Sequence, residues 1–280
     1  MYAGYIIKKS EVTALLSTFE RQMAIGIAHD HYDEKKKKLH QRMGIFLDEA
    51  YNEETDSILM KSIEKDFFPN ISSHIFLSHS SKDEEISLAL AGYLWQECGI
   101  EVFIDSMLWE YCDDLLKTLD DHFSRSGKST YYYGNRNITT AQVHVLLNMA
   151  LARMINSTEC FIFLDSYNSL RHVNKQISSQ ETESPWIYSE LLLSEIIQKR
   201  LPQEHRIHNF QESFSHGDVN TVPTFIYDAM LSQLHPLDRN DLCSAIHHLG
   251  KRNTIERNNK RAERFLDYLY EITGVDYDKQ

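Results

Sequence analysis

Among the side chains of this sequence that could do chemistry, one spacing stands out. Ser184-Pro185-Trp186-Ile187-Tyr188-Ser189-Glu190 places a carboxylate one helical turn after a tryptophan, behind a proline that opens the helix. At about 100° per residue, Glu190 lies about 40° around the helix from Trp186, on the edge of the apolar arc. Glu195 and Lys199 fall on the opposite side. A carboxylate held beside apolar rings can stabilise a developing cation. The same residue can equally serve as a helix-start glutamate complementing the macrodipole.

The other chemical motifs fail on spacing. Ser126-Gly127-Lys128-Ser129-Thr130 lacks the P-loop's first glycine, because His122 stands in its place. No G-x-G-x-x-G and no G-x-S-x-G occurs. The 14 histidines include no H-E-x-x-H, and His205/His208 and His247/His248 lack companion carboxylates, so no metal site is expected. Cys98, Cys112, Cys160 and Cys243 lie far apart, which excludes zinc-ribbon and dithiol motifs and suits a reduced cytoplasmic protein.

Composition narrows the partners. The 280 residues carry a formal charge of −12, which disfavours non-specific nucleic-acid binding while leaving room for a small anion on a local cluster of donors. No apolar run approaches a membrane span of about 18 residues, and the start, with lysines after a short apolar piece, is the wrong order for a secretory signal.

The elements that must position Glu190 read as follows. Residues 1–70 look helical. Val12, Leu15, Leu16, Phe19 and Met23 form one stripe, Leu39, Met43, Phe46, Leu47 and Ala50 a second, and Ile58, Leu59, Ile63 and Phe67 a third. The charged run from Asp33 to Lys38 between the first two reads as a solvated helix end or loop. From Ser72 onward, short apolar runs alternate with helical stretches. The runs are Ile75-Phe76-Leu77-Ser78, Glu101-Val102-Phe103-Ile104-Asp105 and Cys160-Phe161-Ile162-Phe163-Leu164-Asp165. Helices are expected over 84–98 (with Ser81 and Glu84 as a capping box and Gly99 as the stop), 139–156, 185–200 and 262–272. Residues 205–210 and 222–227 could supply later strands. This alternation predicts an α/β fold with a parallel sheet covered by helices on both faces. Each of the three strands ends in polar residues (Ser78-His79-Ser80, Asp105-Ser106 and Asp165-Ser166), and parallel sheets bind ligands beyond those ends.

Ile75-Phe76-Leu77-Ser78-His79-Ser80-Ser81-Lys82-Asp83 resembles the first strand and loop of Toll/interleukin-1 receptor (TIR) domains, the bacterial ones in particular. Glu101-Val102-Phe103-Ile104-Asp105 is similar to their second strand, and Ser184, Trp186 and Glu190 to the helix bearing the glutamate of NAD-cleaving members. The likeness spans roughly residues 72–240. It implies a flavodoxin-like TIR domain over 71–250, preceded by a helical region over 1–70 and followed by a C-terminal helix in 251–280. Residues 107–140 would be an insertion where shorter members have a compact loop. The resemblance further implies cleavage of the nicotinamide–ribose bond of NAD+ as substrate, with no other cofactor, by a glycohydrolase or an ADP-ribosyl cyclase in bacterial anti-phage defence.

Under that resemblance Glu190 is the catalytic carboxylate. Phe76, Ser78, His79, Lys82, Asp105, Ser106 and Trp186 become candidates for substrate contact. Phe76 also fits plain core packing, and Lys82 a solvated loop. One carboxylate suffices, since nicotinamide leaves as a neutral base and needs no acid, unlike the leaving groups of most glycosidases. Partners implied are NAD+, further copies of the chain through TIR–TIR contacts, and an effector that responds to a cyclic product. The alternative is a non-catalytic TIR module acting only through homotypic contacts.

Overall fold

The computed structural model describes residues 1–43, 51–52, 57–58, 72–104, 106–127, 130–171, 180–206, 227–228, 231–250 and 258–275. Five strands form one all-parallel sheet: β1 (Ala3–Lys8), β2 (Ile75–Ser78), β3 (Val102–Ile104), β4 (Cys160–Asp165) and β5 (His235–Leu237), in the order β3-β2-β4-β1-β5. Two-residue ladders pair Tyr51–Asn52 with Ser57–Ile58 and Glu181–Thr182 with Tyr227–Asp228.

Nine helices connect and cover the sheet among the described residues. They are α1 (Lys9–Leu15), α2 (Thr18–Met43), α3 (Glu84–Cys98), α4 (Ser106–Leu119), α5 (Tyr133–Ser157), α6 (Pro185–Ile196), α7 (Pro202–Arg206), α8 (Arg239–His248) and α9 (Asn258–Thr273). Strand alternation divides the core in two. Tyr5, Ile7, Ile75, Leu77, Ile162 and Leu164 face α3, α8 and α9, with Ala28 and Tyr32 of α2 in the same cluster. Phe76, Phe103, Phe161 and Phe163 face the other way, toward α4, α5 and α6. Helices thus cover both faces, as the strand–helix alternation requires.

The all-helical reading of residues 1–70 fails at its start. Ala3–Lys8 is a strand at the sheet's interior, paired with β4 on one side and β5 on the other. Buried on both faces, it shows a continuous apolar run rather than alternation, and so carries no period-2 signal. A boundary at residue 70 would therefore cut the sheet. The first apolar stripe is also two helices, broken at Leu16 and Ser17, and Phe19 and Met23 are exposed. The charged run from Asp33 to Lys38 lies inside α2, while Phe46, Leu47, Ala50, Leu59, Ile63 and Phe67 lie outside the described residues.

Other expectations shift. The capping box at Ser81 and Glu84 does not form: Ser81–Asp83 is a 3-10 turn, and neither Ser80 nor Asp83 makes a side-chain cap. Gly99 does end α3, in the left-handed conformation at φ 70°. The segment expected as an insertion is α4, a five-residue π turn (Asp120–Ser124) and the start of α5, which begins six residues earlier than 139. α6 stops at Ile196 rather than near 200. Residues 202–206 are helical, 207–210 and 222–226 lie outside the described residues, and the sheet's last strand is His235–Leu237 instead. Among the described residues α5 is the one helix long and apolar enough to cross a membrane; here its Val143, Leu147 and Leu151 pack against the sheet.

Candidate functional site at the carboxyl edge of the sheet

From β2 the chain turns to β3 on one side, and from β4 it runs to β5 on the other. The carboxyl ends of β2 and β4 are thus a switch point, where loops diverge and leave a crevice. Ser78 is the last residue of β2 and pairs in register with Phe163 of β4. Its side chain shares the face of Phe76, toward α6.

α6 starts where its sequence dictates. Ser184 caps it, its Oγ accepting the Ile187 amide at 3.3 Å, and Pro185 occupies the first turn. Ile187, Glu190, Leu191 and Ser194 are buried, the i, i+3, i+4, i+7 stripe of a helix lying on a sheet. Glu190 therefore sits in the middle of the buried stripe, not on its edge. It is 0 % exposed, and the Ser78 hydroxyl donates to its Oε2 at 2.6 Å. A strand end and a helix from 112 residues later thus meet in one buried hydrogen bond.

The remaining candidates separate around this pair. His79 is buried beside Ser78. Trp186 is half-buried one turn before Glu190, stacked on the His144 ring with centroids 5.3 Å apart and planes 16° from parallel. Burial lowers the pKa of His144, so the ring facing the indole is the neutral form near neutral pH. Phe76 takes the core role: it is 0 % exposed, against Phe161 and Phe103 at 5.7 and 5.3 Å. Closed in by these rings, it packs beneath Ser78 and does not wall an open site. Lys82 is exposed on the 3-10 turn. Ser106 donates to Glu84 Oε1 at 3.3 Å, at the start of α3. Asp105 lies outside the described residues.

A second cluster escaped the sequence reading. Asp83, 1 % exposed, receives Lys9 Nζ at 2.7 Å and Asn168 Nδ2 at 2.8 Å on Oδ1, and Ser166 Oγ at 2.5 Å on Oδ2. Burial alone would raise its pKa. The hydrogen bonds from Lys9, Ser166 and Asn168, with the Lys9 charge, outweigh that and hold the carboxyl below its ordinary value. One carboxylate thereby ties together the segments leaving β1, β2 and β4. The only signal for this in the sequence is Lys8-Lys9 directly after an apolar run, which by itself reads as a solvated turn.

The side chains that meet are a buried carboxylate and its hydroxyl donor, with a tryptophan one turn earlier on the same helix, beside loops cross-braced through Asp83. No group of three or more metal-ligating side chains occurs among the described residues. Compared with protein-family models, with curated proteins and with solved structures, the chain matches none.

Proposed function

We propose that the chain is a TIR-type enzyme that cleaves the nicotinamide–ribose bond of NAD+, as a glycohydrolase or an ADP-ribosyl cyclase. The observation that carries this reading is the Ser78–Glu190 contact at 2.6 Å, which joins the first and last of the three sequence segments of the resemblance at the carboxyl edge of a flavodoxin-like sheet. In the reaction the bond from ribose C1′ to the pyridinium nitrogen breaks, and its electron pair leaves with neutral nicotinamide. The sugar is left as an oxocarbenium ion, captured by water or by a nitrogen of the substrate's own adenine. Glu190 faces that cation. In a site from which water is excluded, a fixed carboxylate contributes several kcal/mol to such a transition state. The Ser78 hydroxyl positions the carboxylate, and Trp186 flanks the leaving base.

The protein acts in this reading as a self-associated cytoplasmic enzyme of bacterial anti-phage defence, with an effector responding to its product. The buried thiols Cys98 and Cys160 suit a reducing compartment. A second reading draws on Glu190's complete burial: a non-catalytic TIR module, in which the acid only fastens α6 to β2 and signalling passes through homotypic contacts. Nicotinamide release from NAD+, measured at high protein concentration with a crowding agent, separates the two. Release abolished in Glu190→Gln supports the enzyme. No release by wild type, or undiminished release by the variant, leaves the module.

A further inference from the structure

Trp186 stands one turn before Glu190, but the helix alone does not settle where its ring points. A tryptophan on a helix takes χ1 near 180° or near −60°, and the two rotamers send the indole to different places. The backbone beneath is fixed, because Ile187 and Leu191 of α6 are buried against the sheet. What remains to be chosen is the rotamer.

A ring from another helix meets this indole. His144 of α5 stacks on Trp186 with centroids 5.3 Å apart and planes 16° from parallel. Its own place is set by Val143 and Leu147, which pin that turn of α5 to the same core cluster as Ile187 and Leu191. Two helices anchored on one sheet face therefore bring two rings together at their surface side. The imidazole is the more exposed of the pair and the indole is half-buried. Partial burial lowers the pKa of His144 against the opposing charge of Asp113 on α4, so near neutral pH the contact is between two neutral rings.

We infer that His144 is a positioning residue: its imidazole selects the rotamer in which the Trp186 indole flanks the nicotinamide. The inference rests on the NAD-cleaving reading, in which Glu190 faces the ribose and Trp186 the leaving base. The indole meets the base in the bound substrate and in the transition state alike. Losing its position therefore weakens binding without slowing the bound reaction.

Three substitutions in the full chain separate the ring from its polarity. His144→Ala and His144→Gln remove the ring and raise KM for NAD+ about three- to tenfold, with kcat within about twofold, the size expected of one aromatic pair. His144→Phe keeps a flat ring and brings KM back to within about twofold of wild type. A merely structural residue would instead lower the urea midpoint or leave both constants alone. The near-UV circular dichroism band of Trp186, isolated as the difference between wild type and Trp186→Phe, reads the indole without turnover. It weakens in His144→Ala and persists in His144→Phe. An unchanged KM or an unchanged band in His144→Ala overturns the inference, as does a His144→Phe that behaves like His144→Ala. A band lost in His144→Ala, in a protein whose wild type releases no nicotinamide, refutes the cleavage reading and leaves His144 as the residue that fixes the indole.

Discussion

Ser78 and Glu190 meet at 2.6 Å with neither side chain exposed to solvent. Truncating the serine removes the donor from a buried carboxylate, which costs about 1–3 kcal/mol of stability. Ser78→Ala therefore unfolds at lower denaturant than wild type and releases nicotinamide about tenfold more slowly, because the carboxylate loses its fixed position. Glu190→Gln keeps an oxygen for Ser78 to bond, so it stays folded while its activity falls about a hundredfold or more. Chromatography of the nicotinamide released, alongside urea unfolding curves, reads both effects. Equal activity in wild type and Glu190→Gln would refute the catalytic role.

Asp83 makes a stability prediction with a pH window. Its folded pKa lies below the ordinary 3.8, so its contribution is present above the unfolded value and is lost as pH falls through the folded one. At pH 7, Asp83→Asn is less stable than wild type because the Lys9 ion pair is gone. The gap between the two closes as the pH is lowered below about 4. Asp83→Asn leaves Lys9, 43 % exposed, to be solvated by water, whereas Lys9→Met leaves the buried Asp83 carboxylate without its cation, so Lys9→Met costs at least as much as Asp83→Asn. Melting temperatures from pH 7 down to pH 3 check this; a gap that stays constant would mean the carboxylate's charge is irrelevant.

How far the sequence reaches can be judged from three residues. Glu190 was legible because the helical period and the Ser184-Pro185 start fix its direction locally, and the sheet beneath then sets which residues form the buried stripe. Asp83 was missed, and the capping box beside it was misread: a Ser-x-x-Glu spacing has the same local appearance whether or not a cap forms. What decides is Lys9 and Asn168, 74 and 85 residues away. Tyr5 was missed because a strand buried on both faces shows neither period 2 nor period 3.6, and a glycine beside it suggests a turn. Local spacing therefore revealed the acid and the parallel sheet. The tertiary partners that brace the crevice, and the N-terminal strand at the sheet's interior, depend on contacts no window of the sequence contains.

Two glycines on packed helices should respond oppositely to alanine. A Cβ added at Gly92 of α3 would stand 1.9 Å from the Ala24 carbonyl oxygen of α2, so the two helices could keep their spacing only by distorting backbone. Gly92→Ala is expected to destabilise by about 1–3 kcal/mol or more. Gly26, on α2 itself, meets nothing within 4 Å, and Gly26→Ala should stabilise by up to about 1 kcal/mol through helix propensity. Thermal melts of both variants test the pair, and a neutral Gly92→Ala would show that α2 does not lie closely on α3.

His74 supplies the stability loss expected on mild acidification. Burial, the largest effect, lowers its pKa from 6.5 to about 4, with Arg206 adding to the shift and Glu101 opposing it. The neutral ring is also the one the fold needs, because His74 Nδ1 accepts the Glu101 amide at 3.0 Å just before β3. Between pH 6.5 and about 4 the unfolded chain binds a proton here that the folded chain does not, so stability falls as the pH drops through that window. The contribution of this one group is roughly 3 kcal/mol across it. His205, lowered to about 3 by burial and by neighbouring positive charge, adds a similar slope from the other end of the sheet's amino edge. His74→Asn offers a side-chain oxygen to the Glu101 amide and cannot titrate. Guanidinium unfolding at pH 7.0, 5.5 and 4.5 should then give a shallower decline for the variant than for wild type, the remaining loss coming from His205, His144 and His235, whose pKa burial also lowers. Identical slopes in the two proteins would show that the His74 ring does not stay neutral in the fold.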